Sequence, residues 1–525
     1  MRIFFLNILL LTSLVASSQT GDLVFNDSIL HTVQIETDLP DWFETLEADY
    51  KANVSIKGHP QIYFHCKFIF DGITIDSCGF KEKGNASNSL ISYGKKKPLK
   101  ISFDAFANRS LDGLKKMNLN NFTNDPSLLH DAVCLKLMRD EGILAPRTAF
   151  AKLYVNGEYI GLYTIIENID KRFLKSNFGS ANNNGNLYKT DRNAQMYLQW
   201  LGNDKESYKN KNFQLTTNDS IDDWSKLLSF IEFINNDHSA NFKQEFEKRF
   251  DVHNYLKILA VEKCAKSWDS YWGGGNNFFL YEHPDGMIRW IPWDMNESFQ
   301  DIKVIGKTSL LDGYLIPTPQ FDERPLLSRI FEYDDWKQEY LDNVCRLANT
   351  HFTIEHLGKF MVKRHQLIDA AYEADPYKYN TYEAFKNSLT TQTEDVVSIT
   401  KAGYALRIRY PGLFTIIKQQ REWIEKQTKG WERECYLSND RVYALTVYPN
   451  PTSDQITIVN DQSSFDYAQL KLYDFSGKLC LLKDHSLIES NKFTLYLSAI
   501  PSGIYWLVKT SVDGSIGRAK IVVIK

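Results

Sequence analysis

The chain lacks any strong excess of charge. Across 525 residues, 61 Lys and Arg face 65 Asp and Glu, for a formal net charge of −4. The basic balance of a nucleic-acid binder is absent, and that class is set aside. Cysteine is sparse. Cys66, Cys78, Cys134, Cys264, Cys345, Cys435 and Cys480 are scattered, with no CxxC pair and no zinc spacing. A chain of this size does not need disulfides to fold, so most of these are expected as buried thiols. Cys66 and Cys78 stand close enough to bridge neighbouring strands, and the odd total leaves at least one thiol free. Beyond the N-terminus no run is long and apolar enough to cross a bilayer. Long low-complexity linkers are missing; only the polar SNDR stretch at 438–441 interrupts the pattern. There is no HExxH, no GxSxG and no metal spacing among the eleven His. Gly306-Lys307-Thr308 echoes a phosphate loop, but Asp301 stands where that loop needs glycine.

What is present is ample material for packed interiors: 43% hydrophobic and 14% aromatic residues. At roughly 100–200 residues per domain, two to four domains or lobes are expected. Residues 1–18 read as a secretory signal peptide, with Arg2, an apolar stretch from Ile3 to Ala16, and small residues at Ala16-Ser17-Ser18. Its cleavage would leave no membrane-spanning segment.

Residues 22–105 read mainly as strands, with Asp71-Gly72 as a hairpin turn. A helix follows, capped by Asp125, with Pro126 in its first turn and Gly142 as its stop. Asn156-Gly157 marks a second hairpin between TAFAKLYV and GLYTIIEN. Residues 220–265 read as helical, 276–293 as a hairpin turning at Pro284-Asp285-Gly286, and 325–433 again as helical. The body is thus α+β, sheet-rich over about 22–170 and helix-rich over about 171–435. Near residue 440 the character changes. About seven short strands over 442–525 suggest a small β-sandwich.

One stretch carries candidate chemistry. Asp269 follows a helical region, Asn276 and Asn277 begin the next strand, and Asp294 ends the one after. An acid, an amide and a second acid around a hairpin are parts that phosphoryl transfer uses. One carboxylate orients or deprotonates the acceptor hydroxyl, while an amide and the other carboxylate hold Mg²⁺ on the phosphates. Gly84-Asn85-Ala86-Ser87 is a candidate covering loop. Lys97 and Lys100, before and within the strand LKISF, are candidate phosphate cations, and Glu167 falls where a kinase hinge would lie.

In this order the residues 30–435 resemble the CotH family of atypical protein kinases, related to spore-coat CotH. The matching residues are Lys83-Gly84-Asn85 with Ser87, Asn118-Leu119-Asn120, Asp125, Tyr154 to Tyr159 with Gly161-Leu162-Tyr163, Glu167, Leu187-Tyr188-Lys189, Asn277 with Tyr281, and Pro292-Trp293-Asp294. The resemblance implies a two-lobe kinase-like fold over 22–435, ATP with Mg²⁺ (or Mn²⁺), and phosphorylation of protein Ser or Thr. It implies Asp269 as the catalytic aspartate, acting as the base, and Asp294 as the metal-binding aspartate. Asn277, ahead of Asn276, is the metal amide, and Lys100, ahead of Lys97, the phosphate cation. Asn296 departs from the family's WD-x-D, where an acid is usual, and the glycines 273–275 lengthen the loop.

The C-terminal region resembles the type IX secretion sorting domain of Bacteroidota. The match runs through Tyr448-Pro449-Asn450-Pro451, Leu472-Tyr473-Asp474, Ser476-Gly477-Lys478, Leu497-Ser498 and Ile500 to Tyr505. That resemblance implies a partner in the type IX machinery and a secreted or outer-surface location, reached through Sec and then type IX export. The reading at this point is an exported CotH-like kinase. Its rival is a catalytically weak or inactive kinase-shaped surface protein, an adhesin or assembly scaffold, which Asn296 and the glycines 273–275 motivate.

Overall fold

The computed structural model describes residues 19–55, 61–84, 94–191, 194–304, 315–316, 323–393, 396–399, 405–430, 434–435, 442–459, 469–484, 492–510 and 516–525. The expected signal peptide, Asn85 and Ser87 of the covering loop, and Gly306-Lys307-Thr308 lie outside them.

Seven strands form the N-terminal part: β1 (Leu30–Glu36), β2 (Phe64–Phe70), β3 (Ile73–Glu82), β4 (Leu99–Ser102), β5 (Lys116–Asn120), β6 (Thr148–Val155) and β7 (Glu158–Glu167). They close into a barrel in the order β1-β2-β3-β4-β5-β7-β6. The closing pair is parallel, running from Leu30 opposite Phe150 to Ile35 opposite Val155. Both expected hairpin turns form. Asp71 and Gly72 have φ of 48° and 86°, and Asn156 and Gly157 have 48° and 82°. Two successive positive φ values match the twist of the flanking strands, which is why Asp-Gly and Asn-Gly are selected there. Inward residues such as Val33, Phe68, Phe80, Ile101, Leu119 and Ile165 are fully buried in one cluster. Each contributes about 1.5–3 kcal/mol of apolar burial.

A helix, Trp42–Ser55, interrupts the region read as strands. Trp42, Leu46 and Tyr50 stand four apart on one stripe and are buried, with Trp42 meeting Phe80 at 6.4 Å between ring centroids. The next helix begins later than its expected cap, at His130 rather than just after Asp125. The Asp125 carboxylate instead accepts the backbone N–H groups of Ser127, Leu128 and His130 at 2.9, 2.9 and 2.7 Å. It organises the irregular turn leading into the helix. The expected stop holds. Gly142 at φ 74° lets its own N–H reach Arg139 O and the N–H of Ile143 reach Met138 O, both at 3.0 Å.

A second sheet has the order β11-β10-β8-β9, from β8 (Leu187–Thr190), β9 (Phe213–Leu215), β10 (Phe278–Glu282) and β11 (Ile288–Pro292). Helices Ser225–Asn236, Phe242–Arg249, Val252–Cys264, Pro325–Phe331, Asp334–Asn349, Ile354–Glu373 and Leu413–Thr428 share one large core with this sheet. Inside the stretch read as helical, strand Ala405–Arg409 pairs with Val396–Ile399 on one side and with Asp301–Val304 on the other. The body is mixed helix and strand.

The disulfide joins Cys345 to Cys435. Cys66 and Cys78 lie opposite each other on β2 and β3, as their spacing suggested, but both are buried free thiols.

The C-terminal part is all-β. Thr446–Tyr448, Gln455–Val459 and Lys492–Tyr496 form one sheet, and five further strands form another. Ile456, Ile458 and Leu495 from the first meet Leu472, Leu507 and Ile521 from the second in one core. Among the described residues no helix is long and apolar enough to cross a membrane.

Candidate active site

The hairpin β10–β11 sets its two ends side by side. Phe278 lies opposite Pro292, and the Trp293 N–H donates to the Asn277 carbonyl at 3.1 Å. Asn277 and Asp294 flank this closure, with φ of 60° and 57°. Asn and Asp tolerate the left-handed region better than other side-chain-bearing residues, at roughly 1–2 kcal/mol each. Such strain collects where a side chain must be aimed. Asp269, past the end of helix Val252–Cys264, reaches the same place. Asn277 Nδ2 donates to Asp269 Oδ2 at 2.9 Å and to its backbone carbonyl at 2.6 Å, and Asn276 Nδ2 donates to Oδ1 at 3.4 Å.

The glycines fix the Asp269 loop rather than loosening it. A Cβ on Gly273 would stand 1.7 Å from the Trp268 carbonyl, and Gly275, at φ 71°, has Tyr197 2.4 Å from where its Cβ would be. Buried Arg324 clamps the turn, donating from Nε to Tyr271 O at 3.0 Å and from Nη2 to Gly273 O at 2.6 Å.

Above the hairpin lies a cleft of about 550 Å³, a size suited to a nucleotide-sized ligand. Its roof is the outer face of the barrel. Lys81 and Lys83 on or just past β3, Lys100 on β4, and Lys116, Asn118 and Asn120 on β5 all line it. Strand alternation puts the core residues inward and these outward, and outward here means into the cleft. Lys189 adds a fifth ammonium. Burial, with the charges of Lys189, Lys116, Lys83 and Lys81, holds Lys100 well below the ordinary lysine range. Burial brings Lys83 down to about 8 against the pull of Asp294 and Asp131, with Lys189 pushing it further down. Lys83 donates to Asn120 Oδ1 and sits over the Trp293 ring. The roof thus gathers five lysines facing a set of acids.

Those acids are pushed the other way. Burial raises Asp269 above the usual carboxylate range, with the Asp294 charge adding to it and the two asparagine amides opposing it. Asp131, in the first turn of helix His130–Asp140, is pushed up to about 8 by burial and by Asp294. Glu297 is pushed up to about 7 by burial and by Asp269 and Asp294, with Asn124 donating to it at 3.1 Å.

Several of these groups fit a divalent cation. Among the described residues the acids and amides of the site offer hard oxygen donors. Among the described residues the buried Asp131 Oδ1 and Asn276 Oδ1 find no hydrogen-bond donor, which is costly unless something else meets them. No three His, Cys, Asp or Glu among the described residues form a complete cage. The carboxylates and amide oxygens lining the cleft are of the donor type that Mg²⁺ takes, with phosphates and water completing its shell.

Of the residues expected from sequence, Asp269, Asn276, Asn277, Asp294, Lys100 and Gly84 line this cleft. Lys97 does not; its Nζ lies 3.7 Å from Glu47 on the far side of β4, and its carbonyl accepts the Tyr163 hydroxyl. Glu167 is also turned away, into an ion pair with Arg147 at 2.6 Å, while Asn168 and Asp170 beside it face the cleft. Asn296 lines the cleft and Glu297 follows it there. Sequence reasoning missed Lys83, Lys189, Asp131 and Glu297 as charges of the site. The polar i, i+2 pairs Lys81/Lys83 and Asn118/Asn120 on apolar strands were an available signal.

The profile of the CotH kinase protein family matches residues 81–410, and that of the secretion system C-terminal sorting domain matches 446–524. The inner spore coat protein H of Bacillus subtilis (strain 168) is 27% identical over 294 residues, 55% of this chain and 77% of that protein. Invasin CotH2 and invasin CotH3 of Rhizopus delemar are 21% and 22% identical over 185 and 204 residues, 33% and 36% of this chain. Only 30% and 31% of those invasins' own lengths are covered. Among solved structures there is similarity to PorZ, described as an essential bacterial surface component of the type IX secretion system of Porphyromonas gingivalis. It has 22% identity and a TM-score of 0.13, over 15% of this chain and 11% of that one. Since the first profile spans more than half of the sequence and contains every element of the cleft from Lys81 to Glu297, this chain belongs to the CotH family.

Proposed function

We propose that the cleft binds ATP with Mg²⁺ (or Mn²⁺), and that the chain is an exported kinase acting on Ser or Thr of a secreted or surface protein. The observation that supports this most is the convergence of Asp269, Asn277 and Asp294 at one hairpin end beneath five lysines. Lys100, with Lys83 and Lys189 beside it, neutralises the phosphates. Asp269, whose burial increases its affinity for a proton, accepts the proton of the acceptor hydroxyl. The hydroxyl oxygen bonds to the γ-phosphorus as the β–γ bridging P–O bond breaks, and ADP leaves with that electron pair. Asp294, Asn277 and Asn276 would hold the divalent cation, which spreads the charge developing on the phosphate oxygens. In this reading the parts before and after about residue 170 are the two lobes of a kinase-like domain over 22–435. Residues 442–525 direct export through the type IX machinery to the surface or the medium.

The test is a thermal melt of the chain with ATP and Mg²⁺ together and separately. Binding to the folded state raises stability by RT ln(1 + [ATP]/Kd), so Tm climbs with ATP and the rise depends on metal. No shift at millimolar ATP with either metal defeats the reading.

Asn296 favours a second reading, a kinase-shaped surface protein with weak catalysis, acting as an adhesin or scaffold; relatives named invasins agree with it. A metal-dependent ATP shift without any transfer of labelled phosphate would support it over the first.

A further inference from the structure

Behind the Asp269 loop lies a second cavity of about 180 Å³ that shares no lining residue with the cleft. Three of the eleven tryptophans gather on it: Trp268 and Trp272, which bracket Asp269, and Trp423 on helix Leu413–Thr428. The Lys263 ammonium stands 5.0 Å from the Trp272 ring centroid and 5.4 Å from that of Trp423, holding the two indoles in place. Trp268 is fixed by its indole N–H, which donates to Gln300 Oε1 at 3.3 Å. Between the indoles the wall is mixed, with the apolar side chains of Ile302 and Ile416 set beside polar groups. Gln419 is exposed, Asp301 pairs with Lys266, and the buried Gln420 donates its amide to Lys263 O at 3.0 Å.

The size and lining select a ligand class. Drug-sized sites run to roughly 300–1,000 Å³, so this cavity takes a single ring. A purely apolar ring would strip water from the exposed Gln419 amide without replacing it. An anion would find Lys266 already neutralised by Asp301, and Lys263 engaged with two indole rings. A hexopyranose has C–H-rich faces for the indoles, and a rim of hydroxyls that both donate and accept, matching amide, carboxylate and ammonium alike. We propose that this cavity is a carbohydrate site for one hexopyranose unit. It stands whether or not the cleft transfers phosphate.

The test is a tryptophan-fluorescence titration of the whole chain with the methyl glycosides of glucose, galactose, mannose and N-acetylglucosamine, confirmed by calorimetry. Adenosine and phenol serve as flat-ring comparators. A saturable change is expected with at least one sugar. Trp423→Ala should weaken it by about tenfold or more, the equivalent of one lost aromatic contact. Gln419→Ala, an exposed position that leaves the core intact, should weaken it by about two- to fivefold, as for one hydrogen bond. The proposal is overturned by no saturable change with any sugar, by saturation with adenosine or phenol alone, or by sugar binding that both variants leave unaltered.

Discussion

Lys96 and Asp375 lie 279 residues apart in sequence and meet at 2.5 Å with both side chains fully buried. The pair ties the segment ahead of β4 to the end of helix Ile354–Glu373. Removing one partner of a buried ion pair leaves the other uncompensated, at about 3–5 kcal/mol. Lys96→Met should fall near the lower end, about 3 kcal/mol. Asp375 would keep two backbone donors, Leu162 N–H and Tyr377 N–H, each at 2.9 Å. Asp375→Asn strands an ammonium among the rings of Phe122, Tyr163, Tyr372 and Tyr379, at 5.6 to 5.9 Å. Those rings offset part of the loss. The rest depends on pH. Burial already lowers the Lys96 pKa below 10.5, against the pull of Asp375. The unfolded chain then binds that proton more tightly than the native one. Stability therefore rises with pH from the lowered native pKa up to about 10.5. Without Asp375 that window extends further toward neutrality. Urea unfolding of both single variants and the double variant gives the coupling. The double variant should lose about 2 kcal/mol less than the sum of the singles. Additivity within about 0.5 kcal/mol, or single losses below about 1 kcal/mol, would refute the pairing as the source of stability.

Three further outcomes are expected. Glu262, buried in helix Val252–Cys264, is pushed up to about 8 by burial, so the native chain holds its proton more tightly than the unfolded one. Stability should fall as pH rises from about 4.5 to about 8, by at most about 1.4 kcal/mol per pH unit for this group, and Glu262→Gln should flatten that slope in urea titrations. The Cys345–Cys435 link closes a separation of 90 residues. Its loss in Cys345→Ser should cost about 4.6 kcal/mol of unfolding free energy by the chain-entropy relation, and a reductant-insensitive wild type would contradict that. Lys100→Met should act in two directions. The free chain should melt higher, as the repulsion among the cleft lysines is relieved, while ATP should bind about ten- to a hundredfold more weakly, as for a lost charge-assisted hydrogen bond.

The local features of this fold were legible because local chemistry determines them. Asp71-Gly72 and Asn156-Gly157 announce their hairpins through the positive φ values such turns require. Asn277 and Asp294 could be placed at adjoining strand ends because the intervening turn, Pro284-Asp285-Gly286, pairs β10 with β11. Long-range features were not legible. Barrel closure by β1 against β6 joins residues about 120 apart, and no periodicity within either strand encodes its partner. Asp131 becomes a cleft acid only because its helix starts five residues beyond Asp125, a delay set by three backbone bonds to that carboxylate. Lys97 and Lys100 are equally basic in sequence. Which one meets the cleft follows from strand alternation and from Glu47, on a helix inside the region read mainly as strands. Glu167 looked available until the structure supplied Arg147.

The most direct measurement is transfer of labelled phosphate from ATP, to the chain itself or to a hydroxyl-bearing protein, by wild type and by Asp269→Asn at matched folded concentration. If Asp269 is the general base, the substitution should slow transfer by about 10²- to 10⁴-fold while the metal-dependent ATP shift in Tm persists. Wild-type rates of incorporation by Asp269→Asn would contradict that assignment.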